Sequence, residues 1–466
     1  MAVSAIALFV LVAPWQNTTK NLSNAQLSYV TEYSLPEGTR PNALLVDNRG
    51  IVWITTSDSK KLLSLDPKSG NIENFAIRDD SQPETSHGNS TMVWTMVQDH
   101  DGNIWFAGLG TRSIWKLEPE NYTFHIFHSE SGAPFQMKVG GDGKIWFTTL
   151  RNDAIGVVEK SLDGHYMISS FGTGNNTTPA GIFLQNDSVW TTNIDSQKIS
   201  QYQVVKENGS VGNITTLQNI PKYNDTMFSS PTDLIVNKNS IWLTEHGTSF
   251  LTRYDLDSGK LVRYPTSQNT FHTTTLPFWI RGTENPKILW FNEHQGNKIG
   301  CFDLVNYTLT EYSIPSLPKD GYLTYPLNIS QDPRDEKILW FSEWNTDKVA
   351  MIDGHIPVPF DITPSKKEVF LGPNNTDDTI NLEIKGGLNS PSALSLNASS
   401  SITPTAELGY LGVKFTPNVV DPLHTQQVLT NIHDGGIAPG NYTIGISASD
   451  GYVTKTIFLN LVVSTK

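Results

Sequence analysis

Three glutamates, Glu245, Glu293 and Glu343, each stand three residues after a tryptophan, in the segments SIWLTE, ILWFNE and ILWFSE. The same register in successive copies of one unit predicts that their carboxylates converge. Hard cations such as Mg²⁺ or Ca²⁺ take oxygen ligands from several elements, so the trio is a candidate metal site. His246 and His294 follow directly, and an imidazole there would serve as a general base or a further ligand. A second set is aromatic. Trp94, Phe135, Phe278 and Trp279, with Leu327, open the strands that precede those tryptophans, and Asn42 and Arg40 stand at the equivalent place in the first unit. An apolar concavity with a few polar groups is the usual form of a small-ligand site, so Asn42, Trp94, Phe135, Phe278 and Trp279 are read as ligand-binding. The competing readings are a turn cap for each Trp-x-x-Glu and plain core packing for the rings.

A repeat positions these residues. A short strand of the form Ile/Val/Leu-Trp recurs seven times, at Trp53, Trp105, Trp146, Trp190, Trp242, Trp290 and Trp340. Each unit runs from a Pro-led apolar strand through a Gly/Asn/Asp turn to the Trp strand. A third strand such as KLLSLD and a fourth such as NIENFAI complete it. Four short strands in about 47 residues is the period of a propeller blade. A unit that is apolar on both faces cannot bury them alone, so the blades must stack around an axis, with the tryptophans between them. The segment YVTEYSLP at 29–36 matches LTEYSIP at 309–315 and has no unit of its own. It should supply the fourth strand of the last unit. The expectation is an all-β chain whose residues 29–356 form a seven-bladed β-propeller closed by an N-terminal strand.

No tryptophan occurs after Trp344. Residues 357–466 alternate apolar and polar in short runs (TINLEI, LGVKFTP, TKTIFLNLVV), the pattern of a β-sandwich. The stretch at 438–463 resembles the closing hairpin of immunoglobulin-like modules, which implies an immunoglobulin-like β-sandwich there.

Composition narrows the partners. The chain has 466 residues, 33 basic against 46 acidic, for a net charge of −13. With no basic patch, nucleic acid is excluded as a main partner. The single Cys301 excludes an intrachain disulfide framework and a Cys-based zinc site. No P-loop or GxGxxG precedes a helix, so no nucleotide cofactor is implied. Residues 1–28 hold the apolar run AVSAIALFVLVAPW, shorter than the roughly 20 residues a spanning helix needs. It reads as a signal sequence or anchor plus linker, and so as a secreted or cell-surface protein, with membrane or cell-surface tethering through the N-terminus. Fifteen Asn-x-Ser/Thr sites, where chance gives about six, point to a glycoprotein. The run DHDGN at 99–103 is similar to half a calcium loop.

The units LVDNRGIVWITT, MVQDHDGNIWFAGLGTRSIWKLEP, KILWFNEHQGNKIGCFDL and KILWFSEWNTDKVAMID are similar to the virginiamycin B lyase (streptogramin lyase) family, from Tyr29 to Ile356. The resemblance implies a seven-bladed, magnesium-dependent lyase that linearises a cyclic depsipeptide by elimination. Its catalytic histidines would follow the leading Pro of the last blades, with glutamates holding the metal. Here those positions are Asn42, Phe135, Ala180, Thr232, Phe278 and Leu327, with Trp94 in the Pro-less second unit, and none is His. Tyr325 replaces the expected acid before Leu327, while Glu343 matches the glutamate ending the Trp strand. The reading is therefore an exported propeller that binds a small-molecule, peptide or glycan ligand at its channel mouth, with Mg²⁺ or Ca²⁺ held by the glutamates. The alternative is a metal-dependent lyase or lactonase-like hydrolase using His294 or His246.

Overall fold

The computed structural model describes residues 28–465 apart from 58–60, 78–92, 109–111, 130–131, 151, 162, 222–226, 269–271, 284, 319–322, 388, 403–408 and 425–426. The N-terminal apolar run lies outside the described residues. None of the described helices is long and apolar enough to cross a membrane.

Each Trp repeat is a four-stranded antiparallel unit with its strands hydrogen-bonded in chain order. The first strands are Pro41–Val46, Val93–Gln98, Ala133–Val139, Pro179–Gln185, Pro231–Asn237, Pro277–Arg281 and Pro326–Asp332. Each touches the first strand of the next unit, and the last returns to the first, which makes a β-propeller around a central channel. The N-terminal strand Val30–Ser34 pairs antiparallel with Lys348–Asp353 and fills the fourth place of the last repeat, as its sequence match requires. All seven repeat tryptophans are buried. About 200 Å² of indole removed from water contributes about 5 kcal/mol each before entropy is counted.

The polar turn before the Trp strand has its own task. Asp47 accepts the Trp53 indole N–H at 3.1 Å, and Asp99 accepts that of Trp105 at 2.7 Å. Asp99 also takes the backbone N–H groups of Asp101 and Asn103, so the DHDGN run forms a turn that anchors the indole.

Register explains what stands at the channel mouth. The leading Pro pairs with the residue three past the Trp: Pro231 with Glu245, Pro277 with Glu293, Pro326 with Glu343. The residue before that Pro lies in the left-handed region at Arg40 (φ 42°), Thr178 (48°), Ser230 (47°), Leu276 (51°) and Tyr325 (54°). Non-glycine residues adopt this conformation at a cost, and such strain collects at binding sites. Its carbonyl accepts the backbone N–H four past the Trp: Ser230 from His246 at 3.0 Å, Leu276 from His294 at 3.1 Å, Tyr325 from Trp344 at 3.2 Å. That position is thereby tied to the mouth.

The C-terminal segment forms two sheets. One holds Phe360–Pro364, Asp377–Gly386, Gln427–Gly435 and Tyr410–Thr416. The other is built on Gly440–Ser449 and Val453–Val463, and their facing apolar residues, Ile380, Leu382, Val428 and Ile432 against Ile444, Ile446, Leu459 and Leu461, share one core. The predicted runs TINLEI, LGVKFTP and TKTIFLNLVV are all strands. One contact was not foreseen. Val453–Val463 pairs antiparallel with Thr308–Ser313, the fourth strand of the sixth repeat, so propeller and C-terminal sheet are continuous. Phe458 seals the joint against Tyr264 (5.1 Å) and Phe302 (5.9 Å).

Candidate functional site

The aromatic residues singled out by sequence meet across the channel. Trp94 contacts Phe135 at 5.6 Å and Phe278 at 6.0 Å between ring centroids, and Phe135 contacts Trp279 at 5.5 Å. Rings from the second, third and sixth repeats thus meet at the starts of the first strands. Phe135, Phe278 and Trp279 are buried, and Trp94 remains half-buried.

The two histidines join this cluster. His294 stacks on Phe278 at 4.4 Å, and His246 meets His294 edge-on at 5.2 Å and Phe278 at 4.7 Å. Burial, with the neighbouring His246 adding to it, pushes the His294 imidazole down to about 3. Burial lowers His246 as well. Both rings are neutral at ordinary pH. His294 Nε2 lies 3.4 Å from the Leu327 carbonyl, whereas His246 Nδ1 has no hydrogen-bond partner. Two further polar groups at this level are buried and unpartnered: both amide atoms of Asn42 and the Trp94 indole N–H. A buried polar group without a partner costs about 1–3 kcal/mol, so three at one mouth favour an occupant that hydrogen-bonds them.

The glutamates do not converge. The side chain opposite the leading Pro turns away from the axis, toward the third and fourth strands of its own unit. Glu245 is bound by Arg263 at 2.8 Å, by the Ser229 backbone N–H at 2.7 Å and by the Thr252 hydroxyl. Glu293 lies beside Glu311, which accepts the Ser267 N–H (3.0 Å) and hydroxyl (2.8 Å), with Lys298 3.8 Å away. Glu343 accepts from Thr346 at 2.7 Å and lies beside Glu32, which holds Lys348 at 2.6 Å and Ser316 at 2.7 Å. The sixth and seventh repeats therefore carry the same device: a buried carboxyl beside a fourth-strand glutamate that a lysine and a serine serve.

Burial and then the neighbouring carboxylate raise Glu293 well above the usual range and Glu343 to about 8. Burial also opposes ionisation of Glu32, but its hydrogen bonds from Lys348 and Ser316 outweigh that and hold it below its ordinary value. Burial beside a second carboxyl thus favours the protonated form of Glu293 and of Glu343. Both carboxyl oxygens of Glu293 and Oε1 of Glu343 are buried without a hydrogen-bond partner. Glu245 is saturated by a guanidinium, an ammonium already serves Glu32, and among the described residues no three His, Cys, Asp or Glu side chains form a ligand group.

Sequence reasoning missed Trp344, although it stands in the same place after its Trp as His246 and His294. Its indole donates to Ser57 Oγ at 2.9 Å, and Arg40 lies over its ring at 5.3 Å. Beside it opens a cleft of about 830 Å³ at the ring-closing seam, lined by Glu37, Arg40, Trp344, Asn345, Asp347 and Lys348 among others. Arg281, four residues after the leading Pro277, binds Asp233 at 2.7 Å.

Comparison with known proteins agrees on the fold. The profile of the virginiamycin B lyase family matches residues 25–207. The virginiamycin B lyase of Staphylococcus aureus is 22% identical, with a TM-score of 0.54 over 70% of this chain and 98% of that one. A streptogramin B lyase structure is 23% identical, with a TM-score of 0.53 over 69% and 96%. A catalytically inactive variant of the Staphylococcus aureus enzyme, solved with quinupristin, gives 22% and 0.53 over 70% and 98%. The chain thus carries a β-propeller of the virginiamycin B lyase type. No curated protein sequence matches it.

Proposed function

We propose that this is an exported, glycosylated, seven-bladed β-propeller with a C-terminal immunoglobulin-like module, and that it binds an amphipathic ligand at its channel mouth. One observation carries the binding reading: Trp94, Phe278, His246 and His294 come together, and the Trp94 N–H and His246 Nδ1 among them are buried without partners. Apolar faces would take rings or alkyl groups of the ligand, and the unsatisfied groups would take its amides or esters. The adjoining cleft with Arg40 and Trp344 extends the surface toward the seam. Export and glycosylation rest on the sequence, supported by exposure of the acceptor residues Asn121, Asn176, Asn213, Asn306, Asn374 and Asn441. Asn328 is buried, with its amide donating to the Trp94 carbonyl at 2.6 Å, and would stay unmodified.

Quinupristin is a suitable first probe, given the likeness in fold. Saturable quenching of tryptophan fluorescence that Trp94→Ala and Phe278→Ala weaken at least tenfold supports the site. Equal affinity in all three proteins removes it.

A lyase reading is favoured by the two neutral imidazoles at the mouth. His294, held near 3, is a weak proton acceptor, which leaves His246 as the base. Elimination opens a cyclic ester with no change in mass, whereas hydrolysis adds a water, so mass spectrometry of the product separates them. His246→Ala should lower any turnover by about 100-fold. Turnover at the wild-type rate rules that base out.

A further inference from the structure

We infer that the central channel holds a second site, away from the histidine mouth, that binds a small oxyanion. The argument begins with register. Lys138 and Arg281 both stand opposite the repeat tryptophan, Lys138 across from Trp146 and Arg281 across from Trp290. The same place is Leu45, Val97 and Ile235 in the first, second and fifth repeats. It is Phe183 in the fourth and Ser330 in the seventh, so four of the seven places are apolar, one is a serine, and only the third and sixth repeats put a cation there. The two belong to the third and sixth repeats, and both lie within electrostatic reach of Asp233 of the fifth, which Arg281 binds directly and which Gln136, two residues before Lys138, also meets.

The local acceptors are already spent. Asp233 takes four hydrogen bonds: Gln136 Nε2 at 2.8 Å and Leu234 N at 2.9 Å on one oxygen, Arg281 at 2.7 Å and Ile280 N at 3.1 Å on the other. A carboxylate offers about four acceptor sites, so none is left for Lys138. The Lys138 ammonium has no ion pair or hydrogen bond among the described residues, although burial and the nearby Arg281 both work against its charge, lowering it to about 8. Trp279, whose ring lies 5.3 Å under the Arg281 guanidinium, is fully buried with an indole N–H that has no acceptor. Counting Lys138 and Arg281 against Asp233, the cluster carries one positive charge in excess and two donors without partners, the Lys138 ammonium and the Trp279 N–H. Unsatisfied donors beside uncompensated positive charge call for an anionic acceptor. Val97, Lys138, Val139, Leu184 and Arg281 are only half-buried, which leaves a way in from that end.

Inorganic phosphate and succinate are the two probes, since a phosphate and a carboxylate share the chemistry but come from different ligands. The full-length protein is titrated with each by calorimetry. The expected result is saturable binding of at least one probe, weakened at least tenfold in Lys138→Met and kept within about threefold in Lys138→Arg. Which probe binds names the source. Trp279→Phe keeps the ring and removes the N–H, and should weaken binding severalfold even if Lys138→Met folds poorly. No binding of either probe, or binding indifferent to both Lys138→Met and Trp279→Phe, overturns the inference.

Discussion

Replacing Glu343 by glutamine should make the protein less sensitive to alkaline pH. The folded carboxyl titrates near 8 against an ordinary 4.5, because burial and then Glu32 oppose its ionisation. Between those values the folded chain holds a proton that the unfolded chain has released, so stability falls as pH rises through the window. At about 1.4 kcal/mol for each tenfold change in proton affinity, that displacement amounts to about 5 kcal/mol at most. From pH 5 to 8 the share is about 4 kcal/mol. Glu32, held low, contributes stability above 4.5 that is lost only as pH falls below it, outside this window. Glutamine has the shape of the protonated carboxyl and can donate to Glu32 in its place. Urea denaturation at pH 5 and pH 8 measures both proteins. Wild type should lose several kcal/mol across the interval, and Glu343→Gln should lose about 4 kcal/mol less. Glu293, raised in the same direction, leaves a residual slope in the variant. A variant that keeps the full wild-type slope would refute the protonated Glu343 carboxyl.

Arg263→Ala leaves Glu245 buried without its cation and should cost about 3 kcal/mol, more than Glu245→Gln, with the double variant recovering part of the loss; additive effects in that cycle would mean the pair is not coupled. Phe458→Ala opens the joint between propeller and C-terminal sheet and should cost about 2 kcal/mol in denaturant, whereas an unchanged midpoint would show that the joint does not hold the two together. Titration of Mg²⁺ or Ca²⁺ into chelator-treated protein should give no heat that Glu293→Gln removes; stoichiometric binding lost in that variant would restore a glutamate metal site.

The repeat was legible because a propeller writes its architecture in local pattern. Trp spacing, Pro-led strands and Asp/Gly turns follow from what one unit must bury and how it must turn. The match of YVTEYSLP to LTEYSIP named the closing strand for the same reason, since like strands occupy like places. The aromatic set at the strand starts was read correctly as one cluster, because the residue after the leading Pro faces the shared axis. The glutamates were misplaced by one step of the same logic. Equal register puts Glu245, Glu293 and Glu343 in equivalent positions, but it does not say which partners each meets there, and those partners come from the third and fourth strands: Thr252 and Arg263 for Glu245, Glu311 for Glu293, Glu32 for Glu343.

The chain's own pattern therefore determined the all-β class, the repeat, the ring closure and the membership of the aromatic cluster, all of them consequences of short-range periodicity. Only the tertiary structure decided the rest. Arg263 met Glu245, Glu311 and Glu32 met Glu293 and Glu343, Asp233 was saturated beside Lys138, and Val453–Val463 docked on Thr308–Ser313. Charge states and open sheet edges depend on which residues meet across strands, repeats and the channel axis, and no local spacing encodes that meeting.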